Sequence, residues 1–128
     1  MELLQTFVVA FLVFMVIDIA YLGFIGRKFV QSQLGHLMGP TNWPIAILFY
    51  IQFIFGLIYF VIDPALAIGD PNEAFVNGIL YGFFMYATYE LTNYAILKKW
   101  PAGFVIPDII WGTFLSASVS IITFTILN

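Results

Sequence analysis

The chain has 128 residues, of which 62% are hydrophobic and 9% are charged, and its formal net charge is −3. A soluble domain carries about 25% charged residues, so this composition excludes a soluble globular protein and indicates one small domain embedded in lipid. The scarcity of basic residues also excludes a nucleic-acid-binding protein, which needs a basic surface against phosphates.

Four apolar stretches are long enough to cross a bilayer as helices, which takes roughly 20 residues each. They cover about residues 3–25, 43–62, 74–97 and 102–127. Runs such as FVVAFLVFMVI are continuously apolar, whereas the strands of a membrane barrel alternate between apolar and polar residues. The sequence therefore predicts an all-α integral membrane protein, a four-helix bundle that forms a single domain over residues 1–128. The acidic start, MELLQ, and the length of the first stretch indicate a retained helix, not a cleaved signal peptide.

The connections between these stretches carry turn-forming residues. Residues 27–39 form the longest connection and predict a short helix at the membrane interface. Asp-Pro pairs at 63–64 and 70–71, with Gly69 between them, predict the second turn. The third connection covers only about residues 98–101, so the third and fourth helices are expected to form a tight hairpin.

All four basic residues fall on one side of the predicted bundle. Arg27 and Lys28 follow the first stretch, and Lys98 and Lys99 follow the third, whereas the connection between the second and third has none. Short loops rich in Lys and Arg stay in the cytoplasm. Both termini are therefore expected to face away from the cytoplasm.

Three acidic residues lie within the predicted spans: Asp18, Glu90 and Asp108. Each lies roughly 10–13 Å inside the end of its span that is expected to face the cytoplasm, at about 1.5 Å of rise per residue. Charged residues at such a depth usually face the bundle interior or a wet cavity. We therefore predict one shared pocket in the cytoplasmic half of the bilayer.

Further polar and aromatic residues lie at this depth or one helical turn from the acids. Gln52 has a similar depth in the second stretch, and the others share a helical face with an acid through i, i+3 or i, i+4 spacing. The candidate ligand- or proton-binding residues are Asp18, Tyr21, Gln52, Tyr86, Glu90, Asn93, Asp108 and Trp111.

The predicted pocket contains no basic residue. Three carboxylates cannot all be ionised at close range in a low dielectric, so at least one is expected to hold a proton. A proton, a cation or an amphipathic molecule with a cationic or hydroxyl head is the expected guest, and phosphate is disfavoured. The chain has no cysteine and a single histidine, His36, so neither a metal site nor a cofactor is expected.

The pattern of these residues also resembles a known family. The segment from Tyr81 to Gly112 contains an acid-Leu-Thr-Asn run at 90–93, Trp-Pro at 100–101 and Asp-x-x-Trp-Gly at 108–112. With Asp18-x-x-Tyr in the first stretch, it resembles a family of small bacterial membrane proteins of unknown function, predicted to have four helices. The resemblance covers essentially the whole chain, and at position 90 it leads us to expect aspartate where this chain has glutamate. It implies a multi-pass location in the bacterial inner membrane, among membrane lipids, and it implies no activity.

Three classes of function remain open. In the first, the carboxyl groups bind or move a proton, a cation or a lipid-like ligand. In the second, they act as paired acid and base in a membrane enzyme whose substrate is a lipid or an isoprenoid. In the third, the chain is a structural partner subunit, and its 20% aromatic residues provide the contacts. The sequence also leaves open whether the chain forms a homo-oligomer.

Each candidate residue has a simpler structural role as its alternative. The acids are then interhelical hydrogen-bonding groups, and Gly78 with Gly82 is a small-xxx-small pair that lets two helices approach closely. Trp100 is interpreted as an anchor at the membrane interface. His36 is interpreted as a solvated loop residue, and Ser116 as a small packing residue.

Overall fold

The computed structural model describes residues 2–128 and contains four long helices, which we number in chain order. They are α1 (Leu3–Leu37), α2 (Trp43–Ile68), α3 (Pro71–Ile96) and α4 (Ala102–Leu127). The described residues contain no strand, so the predicted all-α class is confirmed. The helices α1, α2 and α4 are long and apolar enough to cross a membrane.

The helix α1 continues well beyond its predicted end. An α-helix over Leu3–Tyr21 passes through a π-helical turn, Leu22–Gly26, into a second α-helix over Arg27–Leu34. A Cβ atom at Gly26 would collide with the ring of Tyr21, so only glycine fits beneath that ring. The predicted short helix is present over Arg27–Leu34, but it continues α1 and does not form a separate element. Its place at the membrane interface stays a prediction. Residues 27–37 continue α1, and we call them the α1 extension.

The helix α2 also continues beyond its predicted end. A π-helical turn, Ile58–Ile62, leads into a final α-helical segment, Asp63–Ile68. Pro64 lies in the first turn of that segment, where a missing N–H costs little, so the Asp-Pro pair does not end the helix. Gly69 ends it in the left-handed conformation with φ 77°. The Asp70 carboxylate then caps α3 by accepting a 2.9 Å hydrogen bond from a backbone N–H two residues later.

The helices α3 and α4 form the predicted hairpin and pack antiparallel at very close range. A Cβ atom on Gly78 would lie 2.9 Å from the Ser120 hydroxyl oxygen, and one on Gly82 would meet the Gly112 carbonyl oxygen. These glycines let the two backbones approach, as the small-xxx-small spacing predicts.

The helix α3 is not among those that are long and apolar enough to span by themselves. It carries Asn72, Glu73, Asn77, Glu90 and Asn93, which lower its hydropathy. It packs along α4, which is apolar enough to cross. That α3 also crosses the membrane stays a prediction.

The core lies where the helices meet. The helix α1 packs beside α4 and α2, and α3 packs beside α4 and the π-helical turn of α2. The largest core cluster consists of Ala10, Phe14, Phe53, Ile54, Leu57, Ile58, Val61, Ile62, Leu115 and Val119.

The two halves of α2 differ in how closely they pack. Tyr81 of α3 donates a 2.9 Å hydrogen bond to the carbonyl of Phe53, which holds the second half of α2 against α3. Residues 43–52, in contrast, contribute no buried side chain. The first half of α2 therefore stands apart from α3. It lies toward the end of the bundle that carries all four basic residues, which we call the basic end.

Candidate functional site

Five of the predicted residues line one cavity of about 200 Å³, which we call the acidic cavity. The helix α1 supplies Asp18 and Tyr21, α3 supplies Tyr86, and α4 supplies Asp108 and Trp111. The remaining lining residues are Phe14, Leu22, Val30, Phe49 and Tyr50. Asp18 and Asp108, on neighbouring helices, therefore line the same cavity.

Aromatic rings form much of the wall of this cavity. The rings of Tyr21 and Trp111 stack 3.8 Å apart at an interplanar angle of 13°. The ring of Tyr86 lies directly over Gly112, where a Cβ atom would collide with it. The lack of a side chain at Gly112 thus leaves room for the Tyr86 ring, and the stack with Trp111 holds the Tyr21 ring. Carboxylates beside aromatic rings favour a cation over an anion.

A second cavity, of about 410 Å³, adjoins the first and is apolar. It shares Phe49, Tyr86 and Asp108 with the acidic cavity, so the Asp108 carboxyl lies at the junction of the two. Its other lining residues are Leu34, Phe53, Met85, Tyr89 and Phe104. We call it the apolar cavity.

Glu90 lies behind Asp108 and lines neither cavity. Its side chain is fully buried, at 0% exposure, and its Oε1 accepts a 3.0 Å hydrogen bond from the indole Nε1–H of Trp100. Its Oε2 has no hydrogen-bond partner. The expectation that Glu90 faces the same cavity as Asp18 is corrected. Glu90 instead pairs with Trp100 in the protein interior.

Two further predicted residues lie outside both cavities. Gln52 is exposed, and its amide donates a 3.3 Å hydrogen bond to the Phe49 carbonyl of its own helix. The inward positions of α2 are taken by Phe53, Ile54 and Leu57, and their burial turns Gln52 outward. Asn93 is partly exposed on α3 and lines neither cavity. Depth placed Gln52 in the predicted pocket and its shared face with Glu90 placed Asn93 there, but neither residue lines a cavity.

Trp100 contacts a candidate site residue, which sequence reasoning missed. It was expected to anchor the membrane interface, but its N–H donates to Glu90. The hairpin turn after α3 brings position 100 back beside position 90. The sequence feature that could have indicated this contact is the indole N–H, which needs a hydrogen-bond partner when the ring is partly buried.

The α1 extension is also part of the site, which the sequence did not indicate. Its Val30 lines the acidic cavity, and its Leu34 lines the apolar cavity. Phe29 stacks on Phe104 of α4 at 5.9 Å between ring centroids. The Nε2 of His36 is 2.9 Å from the Lys99 carbonyl oxygen, so this residue joins the extension to the hairpin turn. The extension therefore lines the basic end of both cavities.

Within residues 2–128, the structure shows no group of three or more His, Cys, Asp or Glu side chains arranged to hold a metal ion. Asp18 and Asp108 are the acidic residues that line the acidic cavity, and its other lining residues are aromatic or aliphatic.

Comparison with known families identifies the chain at the level of its family. A family model described as "Predicted membrane protein (DUF2177)" matches residues 3–125. The chain belongs to this family. The match confirms the resemblance found in the sequence, and it includes every residue that lines the acidic cavity. No curated protein and no solved structure matches the chain. Membership of the family therefore establishes a predicted membrane protein and assigns no activity.

Proposed function

We propose that this protein binds a cation, or the cationic head of an amphipathic molecule, in the acidic cavity between Asp18 and Asp108. The observation that carries the proposal is that two carboxyl groups share one aromatic-walled cavity without a basic side chain among its lining residues. A cation there would be attracted by both carboxylates and by the electron-rich faces of the rings. An anionic head would meet carboxyl groups with no compensating charge. A proton on one of the carboxyl groups would occupy the same site.

The proposal predicts that Asp108→Asn weakens the binding of a small cation such as tetramethylammonium. Removing one charged partner costs about 1.5–3 kcal/mol, which corresponds to about tenfold or more in affinity. Isothermal titration of the purified protein in detergent measures this change. Gln52→Leu, at a similar depth but exposed, is the matched control and should bind like wild type. Equal affinities for wild type and Asp108→Asn, or no binding by wild type, would contradict the proposal.

A second candidate function is favoured by the two carboxyl groups, Asp18 and Asp108, that line one cavity. A carboxyl pair in which one member holds a proton can supply the acid and the base for a reaction on a lipid or isoprenoid. In that case Asp108→Asn would still bind the amphipathic molecule but would no longer convert it. Mass spectrometry of a lipid extract incubated with each form of the protein distinguishes the two functions, because only an enzyme produces a new species.

We also propose that the basic end of the bundle faces the cytoplasm, in the inner membrane of a bacterium. The support for this orientation is that Arg27, Lys28, Lys98 and Lys99 lie at one end.

This orientation predicts that both ends of the chain are accessible from outside the cytoplasm. The chain has no cysteine, so Glu2→Cys and Asn128→Cys each introduce a single thiol. We expect a membrane-impermeant thiol reagent to label both variants in cells whose inner membrane is intact. Labelling of both variants only after lysis would reverse the orientation.

A further inference from the structure

We infer that the apolar cavity holds the hydrocarbon tail of the same ligand, so that the protein selects long-chain amines over short ones. This inference rests on the proposed head-group site. It assigns the ligand to one chemical class, single-chain cationic amphiphiles.

The first support is that the two cavities are joined. Phe49, Tyr86 and Asp108 line both, so a head group held by Asp108 has its tail at the entrance of the apolar cavity. Apart from Asp108, the apolar cavity is lined by aliphatic, thioether and aromatic side chains. Its volume of about 410 Å³ lies within the range of about 300–1,000 Å³ typical of small-molecule sites.

The second support is the direction in which the apolar cavity opens. Three of its lining residues, Phe49 on α2 and Met85 and Tyr89 on α3, are 43%, 38% and 53% exposed on the outer face of the bundle. They mark the gap where the first half of α2 stands apart from α3. A tail in this cavity would therefore be continuous with the lipid around the protein, and the ligand would enter sideways from the membrane.

The charge distribution along this route matches an amphiphile with one cationic end. The inner end of the route has Asp18 and Asp108, and the outer end has only apolar and aromatic side chains. Val30 and Leu34 of the α1 extension line the two cavities toward the basic end, away from the lipid-exposed Phe49, Met85 and Tyr89.

The test compares tetramethylammonium with octyltrimethylammonium, which differ only in the tail. Met85→Trp fills the apolar cavity, and Phe83→Trp is the matched control because Phe83 is exposed on the same helix and lines neither cavity. We expect Met85→Trp to weaken binding of the octyl compound about tenfold and to leave tetramethylammonium unchanged. Phe83→Trp should change neither. Ratios of variant to wild type are compared for each probe, so partitioning of the octyl compound into detergent cancels.

The outcomes separate this inference from the proposed function. If tetramethylammonium fails to bind wild type, the head-group site is wrong. If it binds but Met85→Trp weakens neither probe or weakens both equally, the head-group site stands and the tail site is overturned. Circular dichroism shows whether Met85→Trp is folded. If it is not, Leu34→Trp fills the same cavity from the α1 extension and gives the same readout.

Discussion

Gly82→Leu is expected to destabilise the bundle by about 3 kcal/mol, the upper part of the range for overpacking a well-packed core. A side chain at this position would collide with the Gly112 carbonyl oxygen and with Ser116 of α4. The first of these is backbone and cannot rotate away, so α3 and α4 must separate. Thermal unfolding in detergent, followed by circular dichroism, measures the loss.

Gly23→Leu is the control for this change, because a Cβ atom at Gly23 has no neighbour within 4 Å. It adds the same side chain on the outside of α1. If the two variants unfold at the same temperature, the close packing of α3 against α4 does not stabilise the bundle.

Trp100→Phe is expected to destabilise the protein by about 1–3 kcal/mol, because it removes the hydrogen-bond donor of a fully buried carboxyl group. The apolar ring is largely kept, so the effect reports the lost N–H. The same substitution in a Glu90→Leu background should cost less, because no carboxyl group then requires a donor. The difference between the two costs, obtained from a double-mutant cycle of unfolding measurements, gives the coupling between the residues.

Trp43→Phe provides the comparison for a tryptophan without a structural partner, since Trp43 is 62% exposed at the start of α2. It should leave the unfolding temperature nearly unchanged. If Trp100→Phe is no more destabilising than Trp43→Phe, the indole–carboxyl hydrogen bond does not hold Glu90 in place.

The helical class and the number of helices follow from the sequence because long apolar runs leave the backbone no other way to satisfy its hydrogen bonds in lipid. The helix ends were less predictable. Glycine and proline usually end a helix, but Pro64 sits in a first turn and Gly26 fits beneath a tyrosine ring. Gly26 lies in a π-helical turn and Pro64 follows one, and such turns have no simple sequence signature.

The candidate site was likewise predictable from the sequence only in part. Asp18 and Asp108 line one cavity because each lies on a face that the packing of α1 and α4 turns inward. Gln52 has a comparable depth, but a membrane helix is apolar on all sides, so its sequence does not show which face is buried. The contact between Glu90 and Trp100 depends on the geometry of the hairpin turn, which only the three-dimensional structure shows.

Native mass spectrometry of the protein purified from its membrane tests most directly whether the acidic cavity is a cation site, because it measures the mass of any ligand that stays bound. The account predicts a bound amphiphile that carries an amine or quaternary ammonium group. The adduct should be kept in Gln52→Leu and lost when Asp18→Asn and Asp108→Asn are combined. An adduct that persists in the double variant, or wild-type protein that retains only anionic lipids, would contradict the assignment of the acidic cavity as a cation site.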